Sequence, residues 1–238
     1  MQTAGFILHE TPAPYYSCRA FESLTWLRHG FSTRRLLCAP GIENTSLISL
    51  KQIHSNKVHV VESRQAETEN HEGDALVTNV KNAALAIKTA DCFPVLIVDP
   101  VHRAIGAVHS GWRGTLTRVL PNAIDEMFRR FQSDPARLLF ALGPGIRECC
   151  FEVGEEVARL FIEAYPEKST ARPHPTTSGK YLVNLPAVLK AQLMQSGVPP
   201  ENIHDLGMCT CCNTRDFFSW RAEGPATGRM IAVIAIAG

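Results

Sequence analysis

Three residues of metal-binding type stand beside apolar runs in this chain. His54 lies in Lys51-Gln52-Ile53-His54-Ser55, Cys92 in Thr89-Ala90-Asp91-Cys92-Phe93-Pro94, and His109 in Val108-His109-Ser110-Gly111-Trp112-Arg113-Gly114. The runs Ala83–Ile87, Val95–Val98 and Ala104–Val108 are short and continuous, the signature of buried strands. Cys92 and His109 therefore fall at or near strand ends, where a rigid sheet can fix reactive side chains. Two imidazoles and a thiolate with the fourth position open form the pattern of a catalytic zinc, which can activate water. The residues alone leave other readings standing. The spacings match no local zinc motif. Taken singly, each histidine also reads as a hydrogen-bonded core or loop residue, and Cys92 as a small buried hydrophobe. Without metal, Cys92 and His109 would make a thiolate–imidazole dyad suited to a hydrolase or deamidase.

Other residues near the trio carry candidate roles. Asp91 reads either as a general acid/base or ligand-orienting carboxylate, or as a turn former ahead of Pro94. Arg113, close to His109, and Arg34 in Phe31-Ser32-Thr33-Arg34 are candidates to hold a phosphate, since guanidinium forks match that anion. Arg113 reads equally, and Arg34 more readily, as a surface salt bridge. Gly111 and Gly114 would let backbone N–H groups and a helix start face an anion. Gly143-Pro144-Gly145 is a plain turn or, through Gly145, a closure over a substrate's ring. No Gly-Lys-Ser/Thr follows it, so it is not a P-loop.

The elements that must position these residues follow from hydrophobic period. Residues 1–23, with Pro12, Pro14 and two tyrosines, read as irregular extended chain on the surface. Lys57–Val61 and Asp74–Thr78 read as strands, and Cys38–Ser49, with Pro40, Gly41 and Asn44, as a loop. The spacing predicts a helix from Thr115 to about Phe131 with a kink or restart at Pro121. It predicts further helices over Glu152–Tyr165 and Leu185–Ser196, the last closed by Gly197. Pro166–Gly179 reads as a loop. Leu138–Leu142, Ile203–Gly207, Phe217–Trp220 and Met230–Ile236 read as strands. No repeat or Gly/Ser linker divides the chain, so a single α/β domain over residues 1–238 is expected.

Composition narrows the partners. At 238 residues and 45% apolar content the chain can bury a sizeable core. With 24 basic and 23 acidic residues the net charge is +1, so no global field draws nucleic acid or an anionic membrane; a small anion would need a local cluster. No apolar run spans a bilayer, and the first residues lack the pattern of an export signal. Eight cysteines are then expected as reduced thiols in a cytoplasmic protein. Cys209-Thr210-Cys211-Cys212 has no second pair at ribbon spacing, and Cys149-Cys150 is contiguous, so no structural zinc is expected from them. The chain has no His-x-His pair, which speaks against laccase-type copper.

Longer strings carry a family resemblance. Lys51-Gln52-Ile53-His54, Gly73-Asp74-Ala75-Leu76-Val77-Thr78-Asn79, Thr89-Ala90-Asp91-Cys92-Phe93-Pro94-Val95-Leu96 and His109-Ser110-Gly111-Trp112-Arg113-Gly114-Thr115 resemble the YfiH-type family. So do Gly143-Pro144-Gly145-Ile146, Cys150-Phe151-Glu152-Val153-Gly154 and Phe217-Phe218-Ser219-Trp220-Arg221. That family was long described as laccase-like, copper-dependent polyphenol oxidases and later as purine nucleoside phosphorylases. The resemblance implies a layered α-β-β-α sandwich with mixed sheets and a zinc (copper in the older description) held by His54, Cys92 and His109. It implies phosphorolysis of adenosine, inosine, guanosine and methylthioadenosine, plus deamination of adenosine. The implied partners are a purine nucleoside and phosphate, bound by a monomer or small homo-oligomer. Two features depart from the family. The loop before His54 is short and lacks an Asn-Leu-Gly string, leaving Asn44 or Asn56 as substitutes, and Ser110 replaces the usual alanine.

Overall fold

A computed structural model describes residues 5–10, 13–35, 42, 47–64, 68–166 and 170–237. Asn44, Pro40 and Gly41 of the expected loop lie outside these residues. The chain begins with β1 (Phe6–His9), β2 (Tyr15–Cys18), β3 (Leu27–Ser32), β4 (Leu47–Ile48), β5 (Val58–Val60) and β6 (Ala75–Thr78). Next come β7 (Ala84–Thr89), β8 (Phe93–Asp99), β9 (Ala104–Ser110), α1 (Trp112–Leu116), α2 (Val119–Phe131) and β10 (Leu139–Leu142). It continues through β11 (Glu152–Gly154), α3 (Glu155–Ala164), β12 (Ala171–Pro173), β13 (Lys180–Val183) and α4 (Leu185–Gln195). β14 (Ile203–Asp205), α5 (Trp220–Glu223) and β15 (Met230–Ile236) close it.

One six-stranded sheet has the order β1-β2-β3-β15-β7-β4 and a second the order β14-β10-β8-β9-β6-β5, with β11-β13-β12 as a small third sheet. Both large sheets are mixed: β4 runs parallel to β7, β5 to β6, and β10 to β14, while their other pairs are antiparallel. The fold is thus the expected layered α/β arrangement of mixed sheets.

Its central strands are apolar on both faces because both faces are covered. On one side Leu76, Leu96, Val98, Ile105 and Ala107 of the second sheet meet Phe31, Leu85, Ile87 and Ile234 of the first. On the other, Val77, Val95, Ile97 and Val108 pack under Leu120, Ile124 and Met127 of α2 and Leu189 and Leu193 of α4. Each fully buried Leu, Ile or Phe contributes about 1.5–3 kcal/mol of transfer free energy, so this strand layer carries much of the fold's hydrophobic stabilisation. Cys92 and His109 hang from its ends. No helix among the described residues is long and apolar enough to cross a membrane.

Several local expectations are corrected. Phe6–His9 and Tyr15–Cys18 form an antiparallel pair instead of irregular chain; at four residues each they are too short to show a period in sequence. The helix after Gly114 breaks at Arg118, whose backbone is left-handed (φ 66°), and not at Pro121. Pro121 sits in the first turn of α2, where a missing N–H costs nothing. Glu152–Gly154 is strand, paired with β13, before α3 begins. Ala171–Pro173 adds a strand within the expected loop. Phe217–Trp220 is not a strand: the Ser219 hydroxyl accepts from Ala222 N and caps α5. Gly197 does close α4, at φ 91°.

His29 on β3 makes this scaffold acid-sensitive. Its Nε2 accepts the Cys18 backbone N–H at 2.8 Å, and burial holds its pKa down from 6.5 to about 4. The folded chain therefore keeps the ring neutral while the unfolded chain takes up a proton near pH 6.5. Stability is constant from this source above that pH and falls by about 3 kcal/mol as pH drops to 4. His29→Gln, which keeps an acceptor without the titration, should lose less stability between pH 7 and pH 4.5 in urea unfolding. Equal losses in the two proteins would refute this.

Candidate active site

The loop carrying His54 is held by two clamps. The Gln52 side-chain amide pairs with the Lys88 backbone on β7, donating to its C=O at 2.8 Å and accepting its N–H at 2.9 Å. Beyond it the Asp74 carboxylate accepts backbone N–H groups from Ile53 (3.3 Å), His54 (3.0 Å) and Ser55 (2.6 Å), and the Ser55 hydroxyl at 2.7 Å. This fan of donors needs a tight turn, and His54 itself adopts a left-handed backbone, φ 59°.

Asp74 also fixes His109. Nδ1 of His109 donates to Asp74 Oδ1 at 2.7 Å, and the His109 backbone N–H donates to the Asp74 carbonyl at 2.7 Å. Nδ1 therefore carries the proton given to Asp74, and Nε2 is the ring nitrogen left to face Cys92 or a metal. Cys92 Sγ lies 3.8 Å from His54 Nε2, and the rings of His54 and His109 stand edge to face with centroids 4.9 Å apart. One ligand atom from each of the three lies within 4.8 Å of the others. Residues 38 and 17 positions apart in sequence thus converge on one point.

Electrostatics at that point favour a cation. Burial pushes the Cys92 thiol up, but hydrogen bonds from His109 and His54 outweigh it and bring its pKa down to about 6. Burial pushes His109 down, while the Asp74 carboxylate and Cys92 raise it to about 9. A thiolate between two imidazoles, one oriented by a buried carboxylate, suits a borderline-soft divalent ion.

Glycine at 111 is required for this approach. A Cβ there would stand 2.8 Å from Cys92 Sγ and 2.9 Å from His54 Cδ2. α1 is only five residues long, and close packing against the trio accounts for Gly111 without an anion cradle. Gly111→Ala should weaken metal binding at least tenfold by displacing these two side chains. Zinc titration against a chromophoric chelator reads this directly, and unaltered affinity would rule it out.

The trio opens into a cleft of about 670 Å³, within the range of small-molecule sites. Apolar and aromatic walls come from Leu50, Trp112, Ile146, Phe151, Leu185 and Trp220. Among the described residues, Lys88, Arg113, Arg221 and Arg229 supply four cations to the lining against the carboxylate of Asp91. This is the local positive cluster that a near-neutral chain needs to hold a small anion.

The other expected residues distribute differently. Arg113 lines the cleft, its guanidinium stacked 4.4 Å over Trp112. Arg34 does not: it pairs with Glu223 at 2.8 Å, donates to the Thr214 carbonyl and stacks on Phe218. Gly145 lies buried beside the Phe93 ring, where a Cβ would come within 2.8 Å, and bridges to Cys209 rather than facing the cleft. Asn56 is used structurally, donating to Thr117 O and accepting from Asn122. Asp91 lines the cleft at a left-handed backbone (φ 85°), but both its oxygens are engaged: Oδ1 by Thr210 Oγ1 at 2.6 Å, Oδ2 by Arg221 N at 2.7 Å. It braces the turn before Cys92.

Asp74, Trp220, Arg221 and Arg229 carried no role in the sequence reading. A signal for Asp74 existed: a carboxylate opening the wholly apolar strand Ala75–Val77 must be paired to be buried. The cysteines require a correction as well. Cys149 and Cys150 do meet Cys209 and Cys212, with four sulfurs within 4.8 Å of one another.

Scaffold and cleft place the chain among layered α/β proteins built around a metal-competent His/Cys/His centre. It belongs to the YfiH family, whose family model, described as "Multi-copper polyphenol oxidoreductase laccase", matches residues 31–237. The purine nucleoside phosphorylase of Deinococcus radiodurans is 38% identical over 203 residues, 85% of this chain and 75% of that protein. Adenosine deaminase RL5, from an unknown prokaryotic organism, is 33% identical over 196 residues, 79% and 74% of the two chains. Mouse purine nucleoside phosphorylase LACC1 is 30% identical over 86% of this chain, which spans about half of that longer protein (47%). The crystal structure of Bacillus licheniformis hypothetical protein YfiH superposes with a TM-score of 0.85 at 25% identity, over 96% of this chain and 98% of that one.

Proposed function

We propose that this protein is a zinc-dependent purine nucleoside phosphorylase that also deaminates adenosine, with His54, Cys92 and His109 holding the metal. The convergence of these three ligand atoms at the floor of a cationic, aromatic cleft carries the reading. The names of the relatives supply the substrate class, purine nucleosides for phosphorolysis and adenosine for deamination; the family resemblance narrows the nucleosides to adenosine, inosine, guanosine and methylthioadenosine, with phosphate as co-substrate. Two imidazoles and one thiolate suit zinc, and copper clusters of laccase type would draw on more histidines than this cleft offers. When bound, zinc supplies Lewis-acid polarisation and an activated water.

The protein's own residues do the rest. Trp112, Phe151 and Trp220 offer flat apolar surfaces for a purine ring, and Trp220, 49% exposed, has the Arg229 guanidinium over its ring. Arg113 has no carboxylate partner among the described residues, so its guanidinium is available to phosphate. Arg221 is committed to the Cys150 and Glu152 carbonyls (2.9 and 2.7 Å) and shapes the wall. Asp74 keeps the His109 proton on Nδ1 throughout.

A second reading draws on the same contacts: a thiolate at Cys92 beside His109 could act as a metal-free nucleophile. Incubating the protein with adenosine, with and without phosphate, separates the two. Adenine and ribose 1-phosphate appearing only with phosphate, inosine appearing in either case, and loss of both after chelation support the zinc enzyme. Full activity after chelation supports the thiolate, and no product of either kind rejects both.

A further inference from the structure

Outside the cleft, one side-chain cluster has a chemistry that the proposed function does not use. Cys149 and Cys150 follow the Gly143–Gly145 turn, and Cys209 and Cys212 come from the loop after β14. Cys212 Sγ lies 3.4 Å from Cys149 Sγ and 3.3 Å from Cys150 Sγ, and all four sulfurs fall within 4.8 Å of one another. A disulfide would hold two of them at about 2.05 Å. Four thiolates about 2.3 Å from a tetrahedral zinc stand about 3.8 Å apart, which falls inside the observed spread. We propose that Cys149, Cys150, Cys209 and Cys212 form a second metal site, a closed four-thiolate zinc centre that braces the floor of the cleft.

A second observation points the same way. Backbone N–H groups of Arg147, Cys211 and Cys212 are directed at the Cys209 sulfur. N–H donors wrapped around the first cysteine of a Cys-x-x-Cys turn stabilise a thiolate. Packing four such groups together is unfavourable until a cation takes their charge, and soft thiolates select zinc over hard ions. Four protein ligands leave no open position, so the centre is structural.

Its place explains what it supports. Gly145 bridges Cys209, and Thr210 N donates to Gly145 O at 3.2 Å. Thr210 Oγ1 donates to Asp91, and Ile146 N donates to the Asp91 carbonyl at 2.7 Å. Arg221 reaches the Cys150 carbonyl from the cleft wall. The four cysteines therefore tie together the two loops that fix Asp91, the residue before Cys92. Cys149 and Cys212 are exposed, so the centre is open to metal exchange from solvent.

The test uses the full chain carrying Cys92→Ser, which removes the thiolate of the His/Cys/His centre. Purified under reducing conditions, loaded with zinc alone and desalted, it should retain one zinc per chain. X-ray absorption should show four sulfurs at about 2.3 Å and no nitrogen or oxygen. Adding Cys149→Ser and Cys212→Ser should abolish retention, with circular dichroism checking the fold. No retained zinc, or a shell containing nitrogen or oxygen, overturns the proposal. If the multiple variant fails to fold, the sulfur count on the Cys92→Ser chain still decides. Failure of nucleoside turnover leaves this result untouched, since neither measurement involves substrate.

Discussion

Asp74→Ala is expected to lose about 3–5 kcal/mol of folding stability and to abolish zinc retention at the His54, Cys92 and His109 centre. The carboxylate is fully buried and accepts from three backbone N–H groups, one hydroxyl and the His109 ring. Removing it strands all of these donors, and a buried partner left uncompensated carries a penalty of that size. Asp74→Asn separates shape from charge. It can keep the His54 loop in place, but one of its two polar atoms is a donor and faces groups that also donate. We expect it to fold and to bind zinc about 10–100-fold more weakly, as for other groups that orient a metal's histidine. Urea unfolding and a zinc titration measure the two effects. Wild-type zinc affinity in Asp74→Asn would show that Asp74 supports the loop alone.

Cys92→Ala should have the larger effect on turnover. The trio acts as a unit, and removing one member of such a unit costs on the order of 10⁴-fold or more in kcat. Its fold should survive, since the neighbouring Phe93 and Val95 remain fully buried in β8 and the side chain removed is small. Inosine phosphorolysis, followed by hypoxanthine release, reads the loss. A variant within tenfold of wild type, with normal KM, would remove Cys92 from the chemistry.

The legible and illegible parts of this protein divide along physical lines. β7, β8 and β9 were legible because both their faces are buried, which makes them continuous apolar runs. His54, Cys92 and His109 were legible by residue type and position at strand ends, and longer strings sharpened them into a set. Asp74 went unread because its role depends on a loop 20 residues earlier folding over it. Arg34 and Arg113 looked alike in sequence, and only the third dimension places Glu223 beside the first and the cleft beside the second. Phe217–Trp220 read as strand from its apolar content, although Ser219 was a capping signal. The four cysteines carry no shared signal in the sequence because contacts 62 and 63 residues apart leave no mark in local spacing.

The most direct test is to crystallise the protein with zinc under reducing conditions and collect anomalous data at the zinc edge. A peak should lie about 2.0–2.3 Å from one ring nitrogen each of His54 and His109 and from Cys92 Sγ. Its remaining side should face the cleft. Well-ordered side chains for all three residues with no peak between them would contradict the account.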